Sequence, residues 1–533
     1  IDAPPALADL DGPQQLVPTT LVASDPALSV TADGGRVLFF VQADAGDNYG
    51  IWAQRYDANG VETGAIYQIN TVETDAQTQP EATVLSDGRI LVIWMSGNSN
   101  GTGEVRGRIL DANGNPVAGN DDDLITPADT TANYAKTPEI TALADGGFVA
   151  VWYEYHSSSS KRSVYLQQFD SAGNAITHYD QAGDPISGPI RVPSPISNNQ
   201  TVPDVLALDT GGYVVTWTAT KGVSGADSYG GIFGQMFDSV GTPVGDDFHV
   251  NTTTADDQEH SRLVTLQDGG FMVLWKHDGS PDQLRFQKYY SDGTPSGGEG
   301  TLATGATMTD MGAEWQAISL LGGGVAVAWH RSDGDLYVQS FDEAGNSLTE
   351  VTTIKTSLST SNGANFTSDL DQLASGQLVV TWEYKGEVYS QTLSVPPDVA
   401  ETVLTQGNDI FLGSTSGETI LGLAGDDMID GSGGDDRIEG GAGNDSLTGG
   451  NGADTFVFDA ATGSDTVSDF TDESDLIEIE TTGMPDGTGF ANLVLTDMGS
   501  DLYVSFADPS ITTVIKINNL SSAEFLDDDV IFV

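Results

Sequence analysis

The chain has 533 residues, more than one ordinary hydrophobic core accommodates, so two or three domains are expected. Only 19 Lys and Arg face 78 Asp and Glu, a formal charge of -59, which excludes nucleic acid or an anionic membrane as partner and favours divalent cations. With no cysteine there is no disulfide framework, thiol catalysis or thiolate metal site, and no stretch reaches the roughly 18 apolar residues of a membrane span.

From the N-terminus, one unit recurs seven times in the first 400 residues. It opens with an Asp/Gly turn, continues as an alternating apolar strand and ends in an aromatic residue. The copies read DGGRVLFF at 33–40, DGRILVIW at 87–94, DGGFVAVW at 145–152 and TGGYVVTW at 210–217. They continue as DGGFMVLW at 268–275, GGGVAVAW at 322–329 and SGQLVVTW at 375–382. Trp94, Trp152, Trp217, Trp275, Trp329 and Trp382 thus recur at intervals of 53 to 65 residues. After each aromatic comes a loop of variable length, then in most copies a strand ending in an aromatic–Asp–x–x–Gly turn, as at Phe169-Asp170-Ser171-Ala172-Gly173; copy five has only Tyr290-Ser291-Asp292-Gly293 and copy seven has no such turn. Glycine at the turn end permits positive φ. A third strand follows, such as 242–252, and a fourth, such as 260–267, runs into the next Asp/Gly turn.

Four short strands per unit of about 50 residues, without helical periodicity, describe a β-propeller blade, and seven units predict seven blades. The seventh copy stops near Gln391 without a final strand. The segment DGPQQLVPTT at 11–20 resembles the strand it lacks, so the N-terminus is expected to complete the last blade. The strand before each Asp/Gly turn is then innermost. The variable loops at 95–104, 153–163, 218–230, 276–283 and 330–335 share one face, where repeat proteins tend to bind. The tryptophans, at one fixed strand position per blade, are read as core between blades rather than sugar platforms. The turn aspartates are read as turn caps.

Beyond residue 400 the period changes to nine. Gly440-Gly441-Ala442-Gly443-Asn444-Asp445-Ser446-Leu447-Thr448 fits G-G-x-G-x-D-x-U-x, where U is a large apolar residue, and residues 449–457 fit it again. Counting back by nine places Asp436, Asp427, Glu418 and Asp409 at the acidic position. Ile438, Ile429, Ile420 and Phe411 fall at the apolar one. The glycines permit the turn and bring carbonyl oxygens towards a shared ion. The aspartate adds a hard oxygen, and calcium takes six to eight such oxygens. Each nonapeptide makes one strand and one turn, so turns on one edge come from repeats two apart. Calcium is expected between the turns of Asp409 and Asp427, of Asp427 and Asp445, and of Asp436 and Asp454. The expected ligand set is Asp409, Asp427, Asp436, Asp445 and Asp454, with Gly407, Gly425, Gly434, Gly443, Gly452 and Asn451 at the turns. Unit two departs from the pattern, carrying Ser416 and Glu418.

These repeats resemble the RTX (repeats in toxin) family of type I secreted bacterial proteins, over about 404–533. The resemblance implies export without calcium, through a type I apparatus, and folding outside the cell. It also implies that acidic residues after the repeats complete the last sites or cap the roll; Asp465, Asp469 and Asp475 are the candidates. The tail LDDDVIFV at 526–533 is similar to the family's uncleaved export signal. That would account for a chain that opens at Ile1 without a charged-then-apolar leader, unless upstream residues were removed.

The expected architecture is all-β. A seven-bladed propeller spans 1–398, a parallel calcium-binding β-roll spans 404–457, and a β cap with the export signal spans 458–533. No H-E-x-x-H occurs, so a zinc protease is excluded. Gly97-Asn98-Ser99-Asn100-Gly101 matches G-x-S-x-G but lies in a loop, where a nucleophile needs a strand–turn–helix. Cationic residues gather only near blades five and six. His277 follows Trp275 and Lys276, His330 follows Trp329 and precedes Arg331, and His260 and Arg262 lie on blade five's inner strand. A polysaccharide lyase or hydrolase could use them to neutralise a uronate and move a proton. The regularity of the blades favours the other reading, a non-enzymatic extracellular module. It would bind a glycan or cell surface, adhere, or self-associate into a layer or filament.

Overall fold

The computed structural model describes residues 23–532 apart from 44–48, 98–102, 118–133, 157–160, 180–184, 193–198, 220–229, 304–310, 332–334, 355–366, 395–400, 414–417, 459–462, 480–491 and scattered shorter positions. Of the first 22 residues it describes 8–9 and 14–15. The chain divides into two compact units, one of Ile1–Ser319, Gly324–Leu373 and Gln377–Ser394, the other of Val395–Val533 with the short turns Leu320–Gly323 and Ala374–Gly376.

In the first unit the alternating β-branched and aromatic runs form the second strand of seven antiparallel sheets, the blades of a propeller. Blade five shows the common order from the axis outward: Asp257–Thr265, Phe271–Asp278, Gln283–Tyr289 and Pro295–Ala303. Each inner strand lies beside that of the next blade. The inner strand of blade seven, Ser368–Gln372, lies beside that of blade one, Ala23–Val30, which closes the ring. The outer edge of blade seven is the strand Glu387–Ser394. It pairs with Ala8–Asp9 and Gln14–Gln15, Ala8 opposite Ser394 and Gln14 opposite Ser390. Much of the expected edge strand 11–20 lies outside the described residues.

The core of this unit sits between blades. Val37 and Phe39 of blade one pack with Val92 and Trp94 of blade two, and Val149 and Val151 of blade three pack with Val215 and Trp217 of blade four. All six repeated tryptophans are at most 2% exposed, so none offers a face to a ligand. The turn aspartates cap their own turns: Asp170 Oδ1 accepts from the amides of Ala172 at 2.9 Å and Asn174 at 2.8 Å. Asp238 does the same for Val240 and Thr242.

In the second unit every nonapeptide contributes one three- or four-residue strand, alternately to two sheets. Thr419–Leu421, Arg437–Glu439 and Thr455–Phe458 run parallel in one; Ile410–Leu412, Met428–Asp430 and Ser446–Thr448 run parallel in the other. Register advances by 18 residues, Ile420 opposite Ile438 and Ile429 opposite Leu447. Side chains alternate across a strand, so only the central apolar residue points inward. Ile420, Ile429, Ile438, Leu447 and Phe456 are wholly buried. The segment after the repeats extends both sheets. Leu476–Ile479 and Val530–Phe532 continue the first, while Ser464–Val467 and Val514–Ile517 continue the second. Among the described residues no helix is long and apolar enough to cross a membrane.

Candidate calcium sites and an axial cavity

The acidic position of the roll forms two ladders, one on each edge. On one edge the Asp409 amide donates to Asp427 Oδ1 at 2.8 Å, the Asp427 amide to Asp445 Oδ1 at 2.9 Å and the Asp445 amide to Asp465 Oδ1 at 3.0 Å. On the other, Glu418 donates to Asp436, Asp436 to Asp454 and Asp454 to Asp475. Glu418 thus keeps its place in the ladder through its backbone, although its side chain departs from the pattern.

At Asp427, Asp436, Asp445, Asp454 and Asp465 one carboxylate oxygen is spent on this ladder, and the other is buried in the edge. The Oδ2 atoms of Asp427 and Asp445 are buried and accept no hydrogen bond, an arrangement that buried polar atoms ordinarily avoid. Burial, then the facing Asp465 and Asp427 carboxylates, push the Asp445 carboxyl up to about 6; Asp427 is raised the same way, with Asp409 and Asp426 facing it. The glycines complete the cradle. Gly443, at φ +151, sits so close on the Gly425 carbonyl that a Cβ there would collide with it, and Gly425 packs likewise on Gly407. Gly434 and Gly452 hold the equivalent positive-φ positions on the other edge, where the Gly434 amide donates to the Asn451 carbonyl at 2.7 Å. Hard carboxylate and carbonyl oxygens in this arrangement fit calcium. Among the described residues no three acidic or histidine side chains converge on one point, so carbonyls must supply part of any cage.

The acidic residues beyond the repeats divide in role. Asp465 occupies a ladder rung. Both oxygens of Asp469 accept backbone amides, from Gly449 at 2.9 Å and Gly450 at 2.8 Å, and both of Asp475 do so from Asp454 and Thr471. Asp469 and Asp475 therefore hold the end of the roll together by hydrogen bonds.

In the propeller, each inner strand of blades one to five carries a β-bulge with a positive-φ residue: Asp25, Gln79, Thr137, Val202 and His260. Proline follows in the first four, at 26, 80, 138 and 203, suiting a position that donates no ladder bond. The bulges lie in the half of each inner strand nearest the variable loops. They surround a cavity of about 120 Å³ on the propeller axis. Glu81, Glu139, Arg262, Gln316 and Asp369 line it, with Thr137, His260, Thr367 and Ser368 among their neighbours.

The charged groups here have distinct partners. Arg262 Nε donates to Gln316 Oε1 at 3.0 Å, and Arg262 Nη1 lies 3.5 Å from Glu139 Oε1. Asp204 and Asp369 staple blade to blade: Asp204 Oδ2 accepts from the Leu263 amide and Asp369 Oδ2 from the Leu28 amide, both at 2.7 Å. Asp371 adds a second tie across the closing seam, accepting from the Val30 amide at 3.2 Å. Burial pushes Asp369 up to about 6, and burial with the Asp369 charge pushes Asp371 up to about 7. Glu81 differs, because its carboxylate has no hydrogen bond or ion pair among the described residues. Burial, then the Glu139 and Asp369 carboxylates, hold it well above the usual range against the opposing pull of Arg262.

Sequence patterning noticed His260 and Arg262 but missed Glu81, Glu139 and Asp369. The signal that could have found them is an offset. Glu81, Glu139, Asp204, Arg262, Gln316 and Asp369 each stand eight residues before the last turn residue of their blade.

The other cationic residues do not form one site. His277 is two residues past its tryptophan and His330 one past its own, so the period of two turns them to opposite faces of their sheets. Both rings are buried, at 7% and 3% exposure. His277 Nδ1 lies 2.6 Å from Gln258 Nε2, whose amide oxygen accepts from Trp275 Nε1 at 2.8 Å. Burial, with Arg285 nearby, lowers the His277 pKa, and burial lowers that of His330 to about 4. Lys276 is buried between Glu259 and Asp278, and the Arg331 guanidinium lies over the Tyr337 ring. Ser99 falls outside the described residues.

Residues 405–436, 421–456 and 430–467 match the family model of the RTX calcium-binding nonapeptide repeat, so the stretch 405–467 is made of such repeats, a class typical of type I secreted proteins. No curated protein matches the chain. Among solved structures, the AlgE6R3 subunit of the Azotobacter vinelandii mannuronan C5-epimerase is 29% identical over 24% of this chain and 80% of its own, with a TM-score of 0.21. A Dyadobacter fermentans protein of unknown function is 13% identical, covering 72% of this chain and 100% of its own at a TM-score of 0.40. An α-L-arabinofuranosidase from Fusarium graminearum is 10% identical over 60% of this chain and 93% of its own, also at 0.40. At such scores the likenesses carry no activity over to this chain.

Proposed function

We propose that the chain is an extracellular recognition protein. Its propeller, 1–398, binds a glycan or a surface, in adhesion or in assembly of an extracellular layer. Its roll, 404–457, binds calcium. The observation that carries the propeller half is the axial cavity. The scaffold positions repeat from blade to blade, whereas the seven axial positions hold Ala27, Glu81, Glu139, Asp204, Arg262, Gln316 and Asp369. A purely structural ring has no need of such variety in a space open to water.

In this reading the ions lie between the turns of Asp409 and Asp427, of Asp427 and Asp445, and of Asp436 and Asp454. Carbonyls at Gly407, Gly425, Gly434, Gly443 and Gly452 contribute, and Asn451 and Asp465 stand at the ends of their edges. Bound calcium supplies positive charge that offsets the repulsion between stacked carboxylates. The segment 458–533 caps the roll and carries a type I export signal at its end.

Glycan arrays, together with turnover assays on acidic polysaccharides, test the reading. Binding without product release is the expected result. Product release that a His277→Ala/His330→Ala variant abolishes would replace it with the enzymatic alternative.

A further inference from the structure

The recognition reading leaves open what chemistry the axial cavity accepts, and its lining narrows the choice. Asp25, Glu81, Glu139 and Asp369 line the cavity, and Glu81 feels the carboxylates of Glu139, Asp369 and the nearby Asp204 against the single guanidinium of Arg262; Asp25 accepts from the Gln79 amide. That guanidinium is already committed to Glu139 and Gln316. Asp204 and Asp369 are committed to backbone amides of the next blade. Glu81 is left over as an acceptor facing the cavity.

Three hydroxyl groups around the same space are also left over. Thr137 Oγ1, Thr367 Oγ1 and Ser368 Oγ are buried without a hydrogen-bond partner among the described residues, and Ser368 is only 7% exposed. These three differ from other buried polar atoms in standing together around one cavity, so a ligand entering it meets hydroxyls that no protein group occupies. The orphans offer oxygen acceptors, and Glu81 a carboxyl whose ionised form a bound cation would stabilise. An ammonium group brings three N–H donors and no acceptor, which complements that set. At about 120 Å³ the cavity admits one pendant group and excludes a whole sugar chain.

We propose that the axial cavity receives the ammonium end of an amine-bearing ligand, with Glu81 as its counter-ion and two of the hydroxyls of Ser368, Thr367 and Thr137 accepting its other two hydrogen bonds. This rests on the recognition reading and names its ligand class: a primary amine, carried either by an amino sugar or by a non-glycan chain such as a lysine side chain or a polyamine. A uronate, which the same acidic lining repels, is excluded.

Titration calorimetry on the calcium-loaded full chain tests this with three probes: putrescine, a glucosamine oligosaccharide and its N-acetylated counterpart. Amines should bind, and the N-acetylated oligosaccharide should bind at least tenfold more weakly. Glu81→Gln should weaken amine binding at least tenfold, and Ser368→Ala by a smaller factor. Should Glu81→Gln fail to fold, Ser368→Ala and the comparison of acetylated with free amine on the native protein still decide. Putrescine binding alone would place the amine on a non-glycan partner and keep the site. Amine binding that Glu81→Gln leaves unchanged would overturn it. Neutral or acidic glycans that bind both forms equally would remove the ammonium site and leave recognition standing. No binding by any amine or any glycan on the array would remove both.

Discussion

The propeller and the roll are both stacks of short strands, but they spend their side chains differently. The propeller buries large residues between sheets. Each of blades two to six contributes its tryptophan and several β-branched neighbours to the seam with the blade before it. The roll has one inward apolar residue per nonapeptide, and its edges carry carboxylates stacked one above another. Burial alone can support the first design. The second contains a repulsion that only a cation relieves. Folding of the two units should therefore respond to different variables.

Removing calcium with a chelator is the largest test of that difference. Each site occupied at a thousandfold excess over its dissociation constant adds about 4 kcal/mol, so stripping several sites should unfold the roll and leave the propeller intact. Circular dichroism and limited proteolysis would show one thermal transition that moves with calcium and one that does not. A single transition moving as a whole would break the distinction. Next in size, Trp152→Ala should destabilise the propeller transition by about 3–5 kcal/mol without altering the calcium midpoint of the roll. A shift in that midpoint would mean that the two units fold as one.

The smallest effect concerns acidity at the closing seam. Asp369 and Asp371 are raised in the folded protein to about 6 and about 7. A carboxyl whose pKa is raised on folding favours the fold while protonated. That contribution is fully present below the unfolded value near 4 and is lost as pH rises through the folded value. Propeller stability should thus decline between about pH 4 and pH 7, and Asp371→Asn should flatten the decline by roughly 1–2 kcal/mol, a discounted figure because the Asp369 and Asp371 charges act on each other. Thermal melts across this range would check it; a variant as pH-dependent as the native chain would count against Asp371 as the source.

The blades and the roll were legible because their signals are local. An Asp/Gly turn before an alternating strand, or a glycine and an aspartate every nine residues, is visible in one window. The axial cavity is built otherwise. Glu81, Glu139, Arg262 and Asp369 come from four blades, differ in type, and meet only because the inner strands ring one axis and each residue stands at the same offset from its turn. His277 and His330 show the converse hazard. They look equivalent in adjacent blades, yet one residue of offset is enough to turn them apart. At the end of the roll the count by nine fails. Asp465 and Asp475 take their rungs 20 and 21 residues after Asp445 and Asp454, so only their chemistry, not their spacing, marks them.

The 18-residue register has a consequence for how such a roll can change length. Loss or gain of a single nonapeptide would send every later strand to the opposite sheet. Ser464–Val467 would then arrive where Leu476–Ile479 now belongs, and the capping strands would meet the wrong neighbours. Loss or gain of two would leave each strand in its own sheet and every carboxylate on its own edge. The roll therefore has a parity, and duplication or deletion in pairs is the only arithmetic that keeps its cap.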